Sequence, residues 1–183
     1  MVVLETPRLH IREVTQADTA AFLAYMQAEA YWQNVPIDPP TPDAIAAMVA
    51  ARLAEQAADP RMAYFLAAAD KRTGEVIGEA ILHIRSLRWR QGEIGWGVAA
   101  GRTGQGLATE IGHAMLRLGF EQLRLHRIAA QCRVENAASR RVMEKLGMRQ
   151  EGVLRENVLA RGAWWSSAQY AILCAEWPGG AVA

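Results

Sequence analysis

Two glycines one residue apart, Gly104 and Gly106, separate a predicted strand (residues 93–100) from a predicted helix (residues 107–125), and this junction restricts the fold more than any other stretch. Glycine lets the backbone turn sharply and approach a ligand closely, and the first N–H groups of a helix have no partner within it. Such backbone donors at the positive end of a helix favour a phosphate or pyrophosphate, and no lysine is required. The junction therefore predicts an α/β unit whose anion-binding loop contains Thr103, Gly104, Gln105, Gly106, Leu107, Ala108 and Thr109.

The loop by itself leaves other interpretations open. Glycine turns without a ligand are common between a strand and a helix, so a purely structural turn also fits. The stretch lacks the G-x-x-x-x-G-K-[ST] pattern, and Thr109 replaces the third glycine of G-x-G-x-x-G. A dinucleotide site therefore stays open only as a weaker alternative.

Composition narrows the class of protein. The 183 residues suit one domain, residues 1–183, and a formal net charge of +1 gives no basic face for nucleic acid. Cys132 and Cys174 lie in apolar, strand-like segments, which predicts buried thiols in a reducing compartment. No apolar run reaches the length of a membrane span, and the N-terminal residues do not resemble a signal peptide. We therefore predict a cytoplasmic protein that does not bind membranes.

The remaining patterns give the order of elements. Alternation predicts strands, and helical spacing with capping residues at Thr15, Asp18 and Thr41 predicts helices. Between the first two helices lies a proline-rich segment (residues 30–40) that carries Tyr31 and Trp32, which wall a cleft or cover the core. The order predicts one mixed α/β domain: strand 8–14, helix to about 28, helix 41–59, hairpin 63–69 and 75–84, strand 93–100, helix 107–125, strand 127–134, helix 136–146, and strands 149–154 and 167–173.

The motifs resemble those of the GNAT superfamily of acyl-CoA N-acyltransferases, and within it the RimJ/RimL-type ribosomal-protein N-terminal acetyltransferases. Four segments in the same order carry the resemblance: LETPRLHIR (4–12), EIGW with GQGLATE (93–96 and 104–110), NAAS with EKLGM (136–139 and 144–148), and EGVLR (151–155). The resemblance implies a twisted, mostly antiparallel sheet that is splayed between its fourth and fifth strands and flanked by helices. It also implies acetyl-CoA as co-substrate in the gap, with no metal.

The resemblance assigns the cofactor residues. The glycine loop becomes the pyrophosphate loop, with Gly106 and Ala108 at the two small-residue positions and Thr103 where glutamine or arginine is common. The backbone of Trp96, Gly97 and Val98 would line the pantetheine arm. Asn136 would lie near the pantetheine or the sulfur.

Direct transfer from a thioester to an amine needs a base for the amine, positioning, donors for the carbonyl oxygen and an acid for the thiolate. Ser139 matches the family's proposed acid, although its hydroxyl also fits a helix cap. A tyrosine of other members is replaced here by Met143. Glu93 matches the acidic residue before Ile-Gly-Tyr/Trp and is the first candidate base. Glu79, His83 and a water relay remain alternatives, whereas Val158 occupies a position where one member type has its base.

The acceptor is less constrained. Trp164, with its neighbour Trp165, is expected to line the acceptor cleft together with Tyr31, Trp32 and Glu79, although packing in the core explains at least one tryptophan equally well. A weakly charged, apolar cleft would suit a peptide N-terminus as the amine acceptor. A small amine, such as an antibiotic or polyamine, and a non-catalytic CoA-binding module are the alternatives, and a homodimer is left open. A nucleotide-dependent oxidoreductase is disfavoured by Thr109 and by the mixed strand order.

Overall fold

Residues 2–178, which the computed structural model describes, are organised by an eight-stranded sheet. The strands are β1 (Val3–Glu5), β2 (Leu9–Glu13), β3 (Ala63–Asp70), β4 (Val76–Ser86), β5 (Gln91–Val98), β6 (Arg127–Arg133), β7 (Arg149–Ala160) and β8 (Ala163–Leu173). Their order is β1-β2-β3-β4-β5-β6-β8-β7, and only β5 and β6 are parallel neighbours. The predicted mixed α/β fold with a mostly antiparallel open sheet is confirmed.

Helices cover both faces of this sheet. They are α1 (Thr19–Met26), α2 (Glu29–Trp32), α3 (Pro42–Gln56), α4 (Leu107–Arg117) and α5 (Ala137–Lys145). Two of the predicted caps are present: Thr15 and Asp18 form a capping box before α1, and the Thr41 hydroxyl accepts a hydrogen bond from Ala44 N at the start of α3. These local signals fix where both helices begin.

The apolar side chains form two clusters, one on each face of the sheet. One cluster surrounds α4, whose Ile111 and Met115 are buried as their helical spacing predicts. The other packs α1 and α3 on the opposite face through Phe22, Met26 and Val49. The sheet is thus held between two helical layers, and the positions of α1 to α4 relative to β4 and β5 shape the site described below.

Several boundaries differ from those predicted. Helix α4 ends at Arg117 and continues as a π-helical turn over Leu118–Gln122, so the predicted helix 107–125 is too long. The proline-rich segment begins within the short helix α2, and β7 and β8 extend into one long hairpin. Strand β1 was not predicted because three residues are too few to show a period. Because this first strand was missed, the strands predicted as the fourth and fifth are numbered β5 and β6 in the structure.

Within the described residues, no helix combines the length and the apolar character that a membrane span requires. A group of three histidine, cysteine, aspartate or glutamate side chains placed to bind a metal ion is likewise absent from residues 2–178.

Candidate active site

The parallel pair β5 and β6 separates soon after it forms. The strands pair only at Gln91, Gly92 and Glu93, which lie opposite Arg127, Ile128 and Ala129. Beyond Glu93, the edge of β5 that faces β6 has no neighbouring strand, so its backbone N–H and C=O groups are available to a ligand. The gap leads along β5 to the glycine loop.

This gap is a cleft of about 710 Å³. The cleft brings together most of the residues that the sequence analysis predicted for the site, although they come from several different helices, strands and loops. The walls include Tyr31, Glu79, Glu93, Trp96, Gly97, Val98, Thr103, Gly104, Gly106, Leu107, Ala108, Thr109, Asn136 and Ser139. Three selected residues, Trp32, Gln105 and Trp164, do not line it.

The glycine loop has the backbone geometry that its sequence predicts. Gly104 and Gly106 have φ angles of 74° and 80°, a region that glycine enters without the steric cost of a side chain. Gly106 is the N-cap of α4, so the first N–H groups of that helix face the loop. The loop therefore combines unpaired backbone donors with the positive end of an eleven-residue helix.

A brace from the N-terminal segment holds this loop. The Glu110 carboxylate accepts hydrogen bonds from Thr6 Oγ1 (2.6 Å), Arg8 N (2.8 Å) and Arg8 Nε (2.8 Å). Arg8 Nη1 in turn donates to the carbonyl oxygen of Gln105 at 2.8 Å. Partial burial raises the pKa of Glu110, but the hydrogen bonds from Thr6 and Arg8 outweigh it and keep the pKa below its usual value. Arg8 thus connects the Glu110 carboxylate to the loop through the backbone carbonyl of Gln105.

Asn136, and not Ser139, caps α5. Its Oδ1 accepts a hydrogen bond from Ser139 N at 3.0 Å, so the interpretation of the Ser139 hydroxyl as the helix cap is wrong. The reason is that the first helical residue is Ala137, which places Ser139 at the third position of the helix. Ser139 lines the cleft, and its hydroxyl makes no hydrogen bond within residues 2–178, so it is free to reach a ligand.

Cys132 and Met143, which lie near Ser139, are unsuited to take part in acid–base or nucleophilic chemistry in the cleft. Burial raises the pKa of the Cys132 thiol to about 11, so this cleft cysteine is protonated at neutral pH and a poor nucleophile. Met143, at the position of the tyrosine in other members, is fully buried in the core and faces away from the cleft. Ser139 therefore remains the hydroxyl on α5 that can meet a leaving thiolate.

Cross-strand pairs on β4 and β5 place the candidate bases on one face. Glu79 lies opposite Gly97, Ile81 opposite Gly95, and His83 opposite Glu93. Gly95 leaves space above this face, whereas the Tyr31 ring and the Glu79 side chain cover Gly97. A carboxylate lies at each end of the face. Glu93 pairs with Arg85 at 3.0 Å. Burial, with a smaller effect from Arg85, lowers the pKa of His83, which keeps its imidazole neutral at pH 7 and able to accept a proton.

Glu79 belongs to a buried network that the sequence did not reveal. Its Oε1 accepts a hydrogen bond from the Tyr31 hydroxyl at 2.5 Å, and its Oε2 pairs with Arg52 Nη2 at 2.6 Å. Burial and the neighbouring Glu79 charge raise the pKa of Tyr31 well above its usual value, so this phenol stays a donor. The sequence did not indicate Arg52, because an arginine in an alanine-rich helix is expected to face solvent. In the structure it is only 7% exposed.

The aromatic wall differs from the predicted one. Trp164 is 60% exposed and points away from the cleft, whereas its neighbour Trp165 is buried and lines it. The Arg161 guanidinium carbon lies 5.4 Å from the ring centre of Trp32 and 4.5 Å from the ring centre of Trp165, so it packs against both rings. Trp32 thus helps to hold the β7–β8 turn over the proline-rich segment and does not form the wall of the cleft.

The expectation of a weakly charged cleft is wrong. Besides Glu79 and Glu93, the cleft is lined by His83 and by five basic side chains: Arg85, Arg102, Arg133, Arg141 and Lys145. Sequence spacing did not show this because the charges come from five separate segments. The basic excess beside the glycine loop suits a polyanionic ligand.

Comparison with known proteins agrees with this geometry. The family model described as the acetyltransferase (GNAT) domain matches residues 8–149. The uncharacterised N-acetyltransferase YnaD of Bacillus subtilis is 44% identical over 85 residues, which cover 46% of this chain and 50% of YnaD. YdaF of the same organism, provisionally named as a ribosomal N-acetyltransferase, is 32% identical over 106 residues, 58% of each chain. The alignments thus span about half the length of these relatives.

One solved structure shares almost the whole fold. RimJ of Mycobacterium smegmatis, determined in complex with CoA-disulfide, superposes with a TM-score of 0.84 at 27% sequence identity. The superposition covers 97% of this chain and 88% of that one.

Proposed function

The chain belongs to the acetyltransferase (GNAT) family of N-acetyltransferases, and from this premise we propose that it transfers an acetyl group from acetyl-CoA to the α-amino group of a peptide or protein. The separation of β5 from β6, which opens a cleft that ends at the glycine loop, carries the proposal. The match to a structure determined with a CoA derivative supports acetyl-CoA as the co-substrate.

In this proposal, the pyrophosphate binds the N–H groups of the loop from Gly104 to Thr109. Thr103 lines the cleft beside them, and its own N–H donates to Ala100 O at 3.3 Å. Arg141 and Lys145 line the same cleft and add positive charge around the nucleotide phosphates, whereas Arg102 pairs with Asp70. The pantetheine arm lies along the free edge of β5, where the backbone of Trp96, Gly97 and Val98 offers hydrogen bonds like those of an added strand. The thioester then lies between β5 and the start of α5.

The chemical step uses groups from both sides of the cleft. Glu93 takes a proton from the acceptor ammonium, directly or through water, and neutral His83 lies opposite it on β4. The free amine attacks the thioester carbonyl, whose developing charge is met by β5 N–H groups. Collapse of the tetrahedral intermediate breaks the C–S bond, and Ser139 Oγ donates a proton to the departing thiolate. The extra proton on the attacking nitrogen is lost and restores the Ser139 hydroxyl through water, which leaves a neutral amide and CoA thiol. Cys132 stays out of the reaction because its pKa is raised to about 11.

Asn136 and Glu79 have supporting roles here. Asn136 fixes the start of α5 and so the position of Ser139. Glu79 is unsuited to act as the base because it is only 3% exposed and is held in a buried ion pair with Arg52. Glu93 also accepts hydrogen bonds, from Arg85 and Gln131, but it stays partly exposed in the cleft.

A peptide N-terminus is favoured by the name of the relative YdaF and by the fold shared with RimJ. A small amine is the second candidate, and the partly exposed Glu93 in the cleft favours it because a carboxylate attracts an ammonium group.

The test begins with calorimetric titration of the protein with acetyl-CoA, with NADH as control. CoA release is then measured with peptides that have free or blocked N-termini, and with a panel of polyamines and aminoglycosides. We expect acetyl-CoA alone to bind and only free N-terminal peptides to be acetylated. Turnover confined to the small amines would replace the peptide proposal, and failure of acetyl-CoA to bind would remove it.

A further inference from the structure

A second cavity, of about 440 Å³, lies beside the cleft on the side of α1 and α3. The two share the wall residues Tyr31, Val35, Glu79 and Ile81, so they adjoin. The rest of the second wall is mainly apolar and comes from α1, α3 and the proline-rich segment: Met26, Ile37, Pro39, Pro40, Ile45 and Met48. A concave, apolar wall with few polar groups is typical of a subsite for a side chain. We call it the Arg52 pocket.

The buried polar groups of this pocket are the Arg52 guanidinium and its partner Glu79, whereas Asp38 and Thr41 lie at the exposed rim. The guanidinium carbon lies 5.0 Å from the ring centre of Phe22 and 4.9 Å from that of Phe65, so the two rings fix its plane. Nη2 pairs with Glu79. Nη1 is buried and has no hydrogen-bond partner among residues 2–178. A buried donor of this kind is costly to leave unpaired, so an incoming acceptor atom would be favoured.

The balance of charge restricts what that acceptor atom is. Glu79 already neutralises Arg52, and both of its oxygens accept hydrogen bonds. At the buried end of the pocket, beside Arg52 and away from Asp38 at the exposed rim, a carboxylate would add an unbalanced negative charge. An ammonium there would add a positive one, and each would incur the cost of desolvation. An uncharged oxygen satisfies the remaining N–H without this cost.

We propose that the Arg52 pocket receives the side chain of the acceptor's amine-bearing residue and selects an uncharged, mostly aliphatic side chain with an oxygen that accepts a hydrogen bond from Arg52. This specifies the substrate class of the proposed function and rests on it. Ile81 and Glu79 lie opposite Gly95 and Gly97, and the Tyr31 ring covers Gly97. A side chain that enters the pocket past Ile81 therefore leaves its amine above Gly95.

The first test fills the pocket from the outside. Ala44 lines it from the exposed first turn of α3, whereas Ala47 is exposed on the same helix and lines neither cavity. We expect Ala44→Leu to lower kcat/KM for a norleucine-first peptide by at least about 10-fold, the scale of a poor fit in an apolar pocket. A glycine-first peptide should be unaffected, and Ala47→Leu should change neither.

The second test addresses Arg52 itself. Peptides that begin with norleucine or with its ether isostere O-methylhomoserine differ by one oxygen. The wild type should prefer the ether by about 10-fold, as expected for a hydrogen bond to a charged donor. Arg52→Lys keeps a cation beside Glu79 but lacks the planar fork, so this ratio should fall to about one. A thermal melt of the variant, and its rate with the norleucine peptide, report on the fold.

Two outcomes would overturn the proposal in distinguishable ways. If the wild type acetylates all the peptides at similar rates and Ala44→Leu has no selective effect, the pocket is not a side-chain subsite, while peptide acetylation stands. If no peptide is acetylated by a protein that binds acetyl-CoA, the acceptor proposal and the pocket fail together.

Discussion

Replacing Gly106 with alanine should weaken acetyl-CoA binding as well as the fold, whereas the same change at a glycine outside the cleft should weaken the fold alone. A residue with a side chain costs about 1–2 kcal/mol in the left-handed conformation, and Gly106 has a φ of 80°. The added Cβ would lie 3.6 Å from Arg8 Nη2, an ordinary contact, so no clash with the protein adds to this cost. For a chain of this size the strain corresponds to a melting temperature lower by roughly 2–8 °C.

Gly74 provides a matched control. Its φ of 75° imposes the same strain, an added Cβ would meet no described atom within 4 Å, and it lies in the β3–β4 turn outside the cleft. Gly74→Ala should therefore lower the melting temperature equally and leave acetyl-CoA affinity unchanged. In calorimetric titration, Gly106→Ala should bind at least about 10-fold more weakly, a loss of about 1.4 kcal/mol. Equal affinities for the two variants would refute the assignment of the loop.

Three further predictions concern the acid, the base and the loop brace. Ser139→Ala should lower kcat by about 10²-fold in an assay of CoA release without changing the melting temperature, whereas Asn136→Ala should cost about 1 kcal/mol in thermal unfolding. Glu93→Gln should lower kcat by about 10²-fold or more if Glu93 is the base. If His83 is the base instead, Glu93→Gln will keep its activity, and the kcat/KM of the wild type will fall only below pH ~6.5. Because the pKa of Glu110 is lowered in the folded state, its contribution to stability is present above about pH 4.5 and lost as the pH falls through the folded-state pKa. The free energies of unfolding in urea should therefore differ between wild type and Glu110→Gln at neutral pH and become equal at low pH. A difference that stays constant with pH would contradict this.

Local sequence signals predicted the parts of the fold that depend on neighbouring residues. Thr41 followed by Pro42, and the spacing of Ile111 and Met115, specify the start of one helix and the buried side of another. The glycine loop could be located for the same reason, because a positive φ at Gly104 and Gly106 is a property of single residues. The resemblance of four motifs then supplied the family, which the comparison confirms.

Faces of strands were harder to predict. Trp164 and Trp165 are adjacent, so they point to opposite sides of β8, and only the pairing of β8 with β6 and β7 decides which one faces the cleft. The sequence selected Trp164 for the acceptor wall, and the structure places Trp165 there. A period of two shows that the faces alternate but not which face is inside.

What the amino-acid sequence determined by itself was the order of the longer elements, the backbone geometry of the glycine loop and the family. What only the tertiary structure decided was the network of Tyr31, Arg52 and Glu79 and the pocket beside it. These residues lie 27 and 48 positions apart along the chain, so no local pattern relates them. Burial of an arginine depends on a carboxylate and two aromatic rings that meet it only after α1 and α3 have packed on the sheet.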